Sequence, residues 1–166
     1  MNARPYSVLF LCTGNSARSI LAESLLNHLG HGRFRAFSAG SYPKGAVHPL
    51  ALELLRQERL PITNLRSKSW DEYAAPGAPP IDFILTVCDN AAGEACPVWP
   101  GRPTSAHWGI PDPAAVEGSE SERRQAFRSA FDSLGARIHR FIALPLETLE
   151  PKKLKDALQE IGRTTP

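Results

Sequence analysis

Two hydrophobic patterns alternate along the chain. Tyr6-Ser-Val-Leu-Phe-Leu-Cys12 is a nearly unbroken apolar run, as expected for a strand covered on both faces of a parallel sheet. Ile20, Leu21, Leu25 and Leu29 then recur at helical spacing, with Gly30 as a stop, which predicts a helix over 17–29. A second strand is predicted over 34–38, closed by Ala39-Gly40. A helix follows over 48–60, with Leu50, Leu54 and Leu55 inward and Pro49 in its first turn. Residues 81–87 are again almost all apolar and predict a third strand, and 104–108 a weaker fourth. Phe127, Phe131, Leu134, Ile138 and Phe141 mark the longest helix, over 120–144. Residues 74–80, rich in Pro and Gly, read as a loop.

Strand and helix signals in this order predict an α/β fold of three layers, α/β/α, around a small parallel sheet. Right-handed crossovers place helices on both faces, and such sheets bind ligands at the carboxyl ends of their strands. Cys12, Cys88 and the segment around Asp112 each follow a predicted strand, so all three are expected at that edge. The organisation read from this pattern is one domain over 1–145. A C-terminal extension over 146–166 is expected to hold a short helix at 152–161 and a frayed end.

Composition narrows the class without changing the fold. The chain has 166 residues, 42% hydrophobic and 22% charged, the balance of a globular protein. Its net charge of +2 is too small for a nucleic-acid binder that relies on a broad basic face. No apolar run approaches the length of a membrane span. The short run after Arg4 leads into a Gly-Asn-Ser loop and not into a cleavage site, so a cytoplasmic protein with reduced thiols is expected. Three cysteines are then either inert core residues or redox chemistry.

The chemistry concentrates in Cys12-Thr-Gly-Asn-Ser-Ala-Arg18-Ser19, between the first strand and the first helix. A Cys at a helix N-terminus is favoured as thiolate by the macrodipole and free amides. Thr13, Gly14, Asn15, Ser16 and Ala17 supply the amides of an anion nest, and Gly14 is the expected source of its unusual backbone angles. Arg18 suits a two-pronged grip on a tetrahedral oxyanion. Asn15 is expected to brace the loop, and Ser19 to donate to the Cys12 sulfur. Together these features predict a Cys12 pKa well below the ordinary thiol value.

These residues, with Phe37-Ser-Ala-Gly40, Thr86-Val-Cys-Asp89 and His107-Trp-Gly-Ile-Pro-Asp-Pro113, resemble the arsenate reductases built on the low-molecular-weight protein tyrosine phosphatase fold. The resemblance runs from about Tyr6 to Leu144. It implies a four-stranded parallel sheet, Cys12 as nucleophile, Arg18 as oxyanion clamp and Asp112 as general acid. It also implies Cys88 and Cys96 as redox cysteines. The substrate it implies is arsenate, with phosphate or sulfate as analogues. The regenerating partner is thioredoxin, or a glutathione and glutaredoxin system, and no organic cofactor is implied.

A reductase must supply two electrons, so a second thiol must attack the first, and Cys88 ends a strand at the same sheet edge as Cys12. A phosphatase needs one Cys, and the Ala114-Ala115-Val116 that follows Pro113 offers no aromatic wall for a phenyl ring. The hydrolysis of phosphate monoesters stays the alternative activity. Related reductases often hold potassium beside the loop. Asn15, Glu23 and Ser38 match that set, but the fourth position falls on Lys68, whose ammonium repels a cation. No metal is therefore expected, and Lys68 is predicted to pair with Glu23. A short helix is predicted over 90–95, between Cys88 and Cys96, which must unwind for the two sulfurs to join.

Overall fold

The computed structural model describes residues 4–88 and 103–163. Its chain order is β1 (Tyr6–Leu11), α1 (Arg18–Leu29), β2 (Phe34–Ala39), α2 (Pro49–Gln57), α3 (Asp71–Ala74), β3 (Phe83–Thr86), β4 (Thr104–His107), a 3-10 turn (Pro113–Ala115), α4 (Glu120–Ile142) and α5 (Pro151–Arg163). The four strands form one sheet in the order β2-β1-β3-β4, and every pairing is parallel. This is the fold class expected from the sequence.

Register places the chemistry. Leu11 lies beside Ala39 on one side and Thr86 on the other, and Thr86 lies beside His107. The residues that follow these rungs, Cys12, Gly40, Val87-Cys88 and Trp108, therefore emerge together at the carboxyl edge.

The central strands are buried on both faces because their side chains alternate between two cores. Val8 and Phe10 join Leu85, Ile20, Leu55, Phe127, Leu134 and Phe141 beneath α1, α2 and α4. Leu9, Leu11 and Ile84 face the other way, onto Trp70, Tyr73 and Ile81. Trp70 and Tyr73 come from α3 and its approach, a single turn that was not predicted. Four residues carry no helical period, and it is burial of the two aromatics under the sheet that holds this turn.

The second helix is shorter than the predicted 48–60. His48 is its N-cap, its Nδ1 accepting from the Leu50 amide, and Arg59 turns left-handed just beyond its end. α4 starts with a capping box between Ser119 and Glu122. α5 packs on β4, the edge strand, through Leu158 and Ile161. Among the described residues no helix is long and apolar enough to cross a membrane. Cys96 and the helix expected over 90–95 lie outside the described residues.

Candidate active site

The loop from Cys12 to Ala17 closes a cleft of about 230 Å³ lined by Cys12, Thr13, Gly14, Ser16, Ala17, Arg18, Tyr42, Lys44 and Asp112. Its shape is held from outside. The amides of Tyr42, Lys44 and His48 donate to the carbonyls of Thr13, Gly14 and Ser16 at 2.9, 3.0 and 2.9 Å. In each of these peptide planes the N–H points opposite to the C=O, so the amides of Gly14, Asn15 and Ala17 turn away from the brace.

Gly14 was expected to supply the loop's unusual backbone angles. The left-handed residue of the loop is Asn15, with φ 44°, a conformation that Asn tolerates better than most residues. The Asn15 side chain fixes it there. Its Nδ2 donates to Ser19 Oγ and Ser38 Oγ at 2.8 and 2.9 Å, and its Oδ1 accepts from the Lys68 amide at 2.8 Å. Ser19 Oγ, expected to donate to the Cys12 sulfur, accepts this bond from Asn15. The sequence has no room for any other residue at Gly40: a Cβ there would run into the Thr13 carbonyl oxygen and lie 2.7 Å from that of Cys12.

Behind the loop, Ser38 Oγ donates to Glu23 Oε1. The Lys68 ammonium donates to the Arg66 carbonyl at 2.9 Å and to Ser38 Oγ at 3.5 Å, and lies 3.9 Å from Glu23 Oε1. Asn15, Glu23, Ser38 and Lys68 thus form one buried polar cluster. The amine fills the cradle in which related reductases were expected to hold potassium, so these residues do not fit a metal ion. Burial pushes the Glu23 carboxyl up, with Lys68 and Ser38 opposing it, and pushes the Lys68 amine down, with Glu23 opposing it. In both cases desolvation outweighs the attraction across 3.9 Å.

At the mouth, Arg18 Nη1 donates to the Ile110 carbonyl at 2.9 Å, and Nη2 lies 3.7 Å from Asp112 Oδ2. Arg18 Nε is buried and has no hydrogen-bond partner among the described residues. Asp112 Oδ1 caps the 3-10 turn by accepting from the Ala114 amide, which leaves Oδ2 toward Arg18 and the cleft.

Cys12 and Cys88 are both buried. The Thr13 amide donates to Cys88 Sγ at 3.3 Å, and the Thr13 hydroxyl is 3.6 Å from the same sulfur. The geometry brings together Cys12, Arg18, Asp112 and Cys88.

Comparison with known proteins fits this arrangement. The profile of the low molecular weight phosphotyrosine protein phosphatases matches residues 7–157. The chain belongs to that family. Among its relatives, an arsenate reductase of Bacillus licheniformis is 37% identical over 136 residues, 81% of this chain and 94% of that protein. An arsenate reductase of Shouchella clausii is 35% identical over 134 residues, 81% and 93% of the two chains. A solved thioredoxin-dependent arsenate reductase of Corynebacterium glutamicum superposes with a TM-score of 0.63 at 25% identity, over 85% of this chain and 62% of that one.

For a phosphatase-family loop the charge on Cys12 departs from the sequence expectation. The Cys12 thiol is held above its ordinary value and not below it. The first cause is its hydrogen bond with Cys88 and the second is burial; Arg18 and the Gly14 amide act in the opposite direction. Two sulfurs in contact share one negative charge, so a thiolate on one keeps the proton on the other. Tyr42 and Lys44 are cleft residues that sequence reasoning missed. They sit on the loop after β2, which carries no motif. Only the backbone pairing with Thr13 and Gly14 brings them to the mouth.

Proposed function

We propose that this chain reduces arsenate to arsenite through a thiol relay. The observation that carries this reading is the second thiol: Cys88 lies against both Thr13 of the oxyanion loop and Cys12. Hydrolysis has no use for it, whereas a two-electron reduction requires it. Both curated relatives described above are arsenate reductases.

The oxyanion binds among the loop amides, with the Arg18 guanidinium beside the cleft to take two of its oxygens. The Cys12 thiol passes its proton to an oxygen of the bound oxyanion and attacks arsenic(V) as the thiolate, forming an S–As bond. Asp112 gives a proton to the departing oxygen, which leaves as water. Bonding to arsenic removes the charge from Cys12, so Cys88 no longer ionises beside a thiolate and its own proton is lost more easily. The Cys88 thiolate then attacks Cys12 Sγ. The S–S bond forms, the S–As bond breaks, and its electron pair stays on arsenic, which departs as arsenite. Two thiols have been oxidised to one disulfide. Cys96 attacks Cys88 and moves the disulfide to Cys88–Cys96, and an external dithiol of the thioredoxin type reduces it. Asn15, Glu23, Ser38 and Lys68 support the loop throughout.

A second reading is phosphate monoester hydrolysis, which uses only Cys12, Arg18 and Asp112. Tyr42, 75% exposed at the cleft mouth, favours it by offering an aromatic surface. The test is arsenate-dependent NADPH consumption with thioredoxin and thioredoxin reductase, against p-nitrophenyl phosphate hydrolysis. Arsenate-dependent turnover that is lost in Cys88→Ala, while ester hydrolysis persists, supports reduction. Ester hydrolysis alone in the parent chain overturns it.

A further inference from the structure

We propose that the C-terminal helix α5 is a positioning element for the general acid, acting through Trp108; this rests on the role proposed above for Asp112. Residues 108–112 form a strap from the end of β4 to Asp112. Each of the first three carbonyls is held by an arginine. Arg137 Nη1, on α4, donates to those of Trp108 and Gly109 at 2.8 and 3.2 Å, and Arg18 takes that of Ile110. The amides of Trp108 and Ile110 pair with the carbonyls of Thr86 and Val87. The strap is thus fixed to the sheet on one edge and to two guanidinium groups on the other.

α5 closes the remaining side. The indole of Trp108 is fully buried, edge-on to Phe141, and its Nε1 donates to the Leu158 carbonyl of α5 at 2.9 Å. One turn further on, Gly162 lies against the peptide that joins His107 to Trp108. A Cβ at 162 would run into the His107 carbonyl oxygen and lie 2.8 Å from Trp108 Cδ1. Only a residue without a Cβ allows so close an approach of α5 to this peptide. Leu158 and Gly162 bear on the peptide from which the acid strap begins. A general acid must lie within hydrogen-bond reach of the departing oxygen, and a shift of about 1 Å in such a group costs up to about a hundredfold in rate.

The test is a double-mutant cycle in the full-length chain, with Gly162→Ala, Trp108→Phe and Asp112→Asn, each alone, and each of the first two combined with the third. Turnover of arsenate is measured in the thioredoxin-coupled assay and turnover of p-nitrophenyl phosphate beside it. Inhibition by inorganic phosphate reports the oxyanion loop. The expected result is a fall of about tenfold in kcat for Gly162→Ala and for Trp108→Phe, with phosphate inhibition within about twofold of the parent. Neither substitution should then lower kcat by more than about twofold in the Asp112→Asn background. A merely structural role would lower kcat by the same factor in both backgrounds, and that result overturns the proposal. So does parental kcat in both single variants. If Gly162→Ala does not fold, Trp108→Phe, which keeps a buried ring and loses the donor with part of the indole volume, completes the cycle. Full turnover by Asp112→Asn would remove Asp112 as acid and α5 as its support. A slow Asp112→Asn with additive effects removes α5 alone.

Discussion

Lys68→Met removes the amine behind the oxyanion loop and keeps most of the stem. Three interactions go: the hydrogen bond to the Arg66 carbonyl, the longer one to Ser38 Oγ and the 3.9 Å approach to Glu23. Removing one partner of a buried pair typically costs about 3–5 kcal/mol, because the other charge is left uncompensated. Here both partners are already disfavoured as ions by burial, so relief of that burden offsets part of the loss, and about 2–4 kcal/mol is expected. For a chain of this size that lowers Tm by roughly 4–16 °C. The Lys68→Met/Glu23→Gln double variant replaces both charges and should return to within about 1 kcal/mol of the parent. Urea unfolding of the parent, Lys68→Met, Glu23→Gln and the double variant gives the cycle. A loss under about 0.5 kcal/mol for Lys68→Met, or strict additivity in the double variant, would refute the pairing. A Tm that rises in potassium but not in sodium at equal ionic strength would show a cation site where the structure places an amine.

The remaining predictions concern charge. Cys88→Ala removes the main cause that holds the Cys12 proton, so the Cys12 pKa should fall; alkylation rate against pH reads it, and an unchanged or higher value would contradict the shared charge. Burial raises the Tyr73 phenol from 10.0 to about 12. Because the folded value lies above the unfolded one, the associated stability is present below pH 10 and is lost as pH rises through about 12. Tyr73→Phe should therefore flatten the alkaline part of the stability profile, measured as urea midpoint against pH; a parallel profile would contradict this.

What was legible in the sequence followed from strong local periodicity. The apolar runs of β1 and β3 predicted a parallel sheet, and their common direction put Cys12 and Cys88 at one edge. Helix ends were harder. His48 was placed inside a helix that it caps, because cap and first turn differ only in backbone angle. α3 has no period to detect. The motif locates the loop, yet propensity alone points to Gly14 as the source of its unusual backbone angles. Asn15 adopts that conformation because Lys68 and Ser38 receive its side chain from 53 and 23 residues away. The Cys12 charge was misjudged for a similar reason. Macrodipole and amides are local to the motif, whereas the Cys88 sulfur arrives through the β1–β3 register. Tyr42 and Lys44 were invisible because only tertiary backbone pairing brings them to the cleft.

The relay itself is tested most directly by trapping it. Reduced Cys96→Ser chain is given one equivalent of arsenate with no external thiol, quenched by alkylation, digested and mapped by mass spectrometry, while released arsenite is counted. One arsenite per chain and a single disulfide that joins Cys12 to Cys88 are expected. Arsenite release with both thiols still open to alkylation, or no arsenite at all, would contradict it.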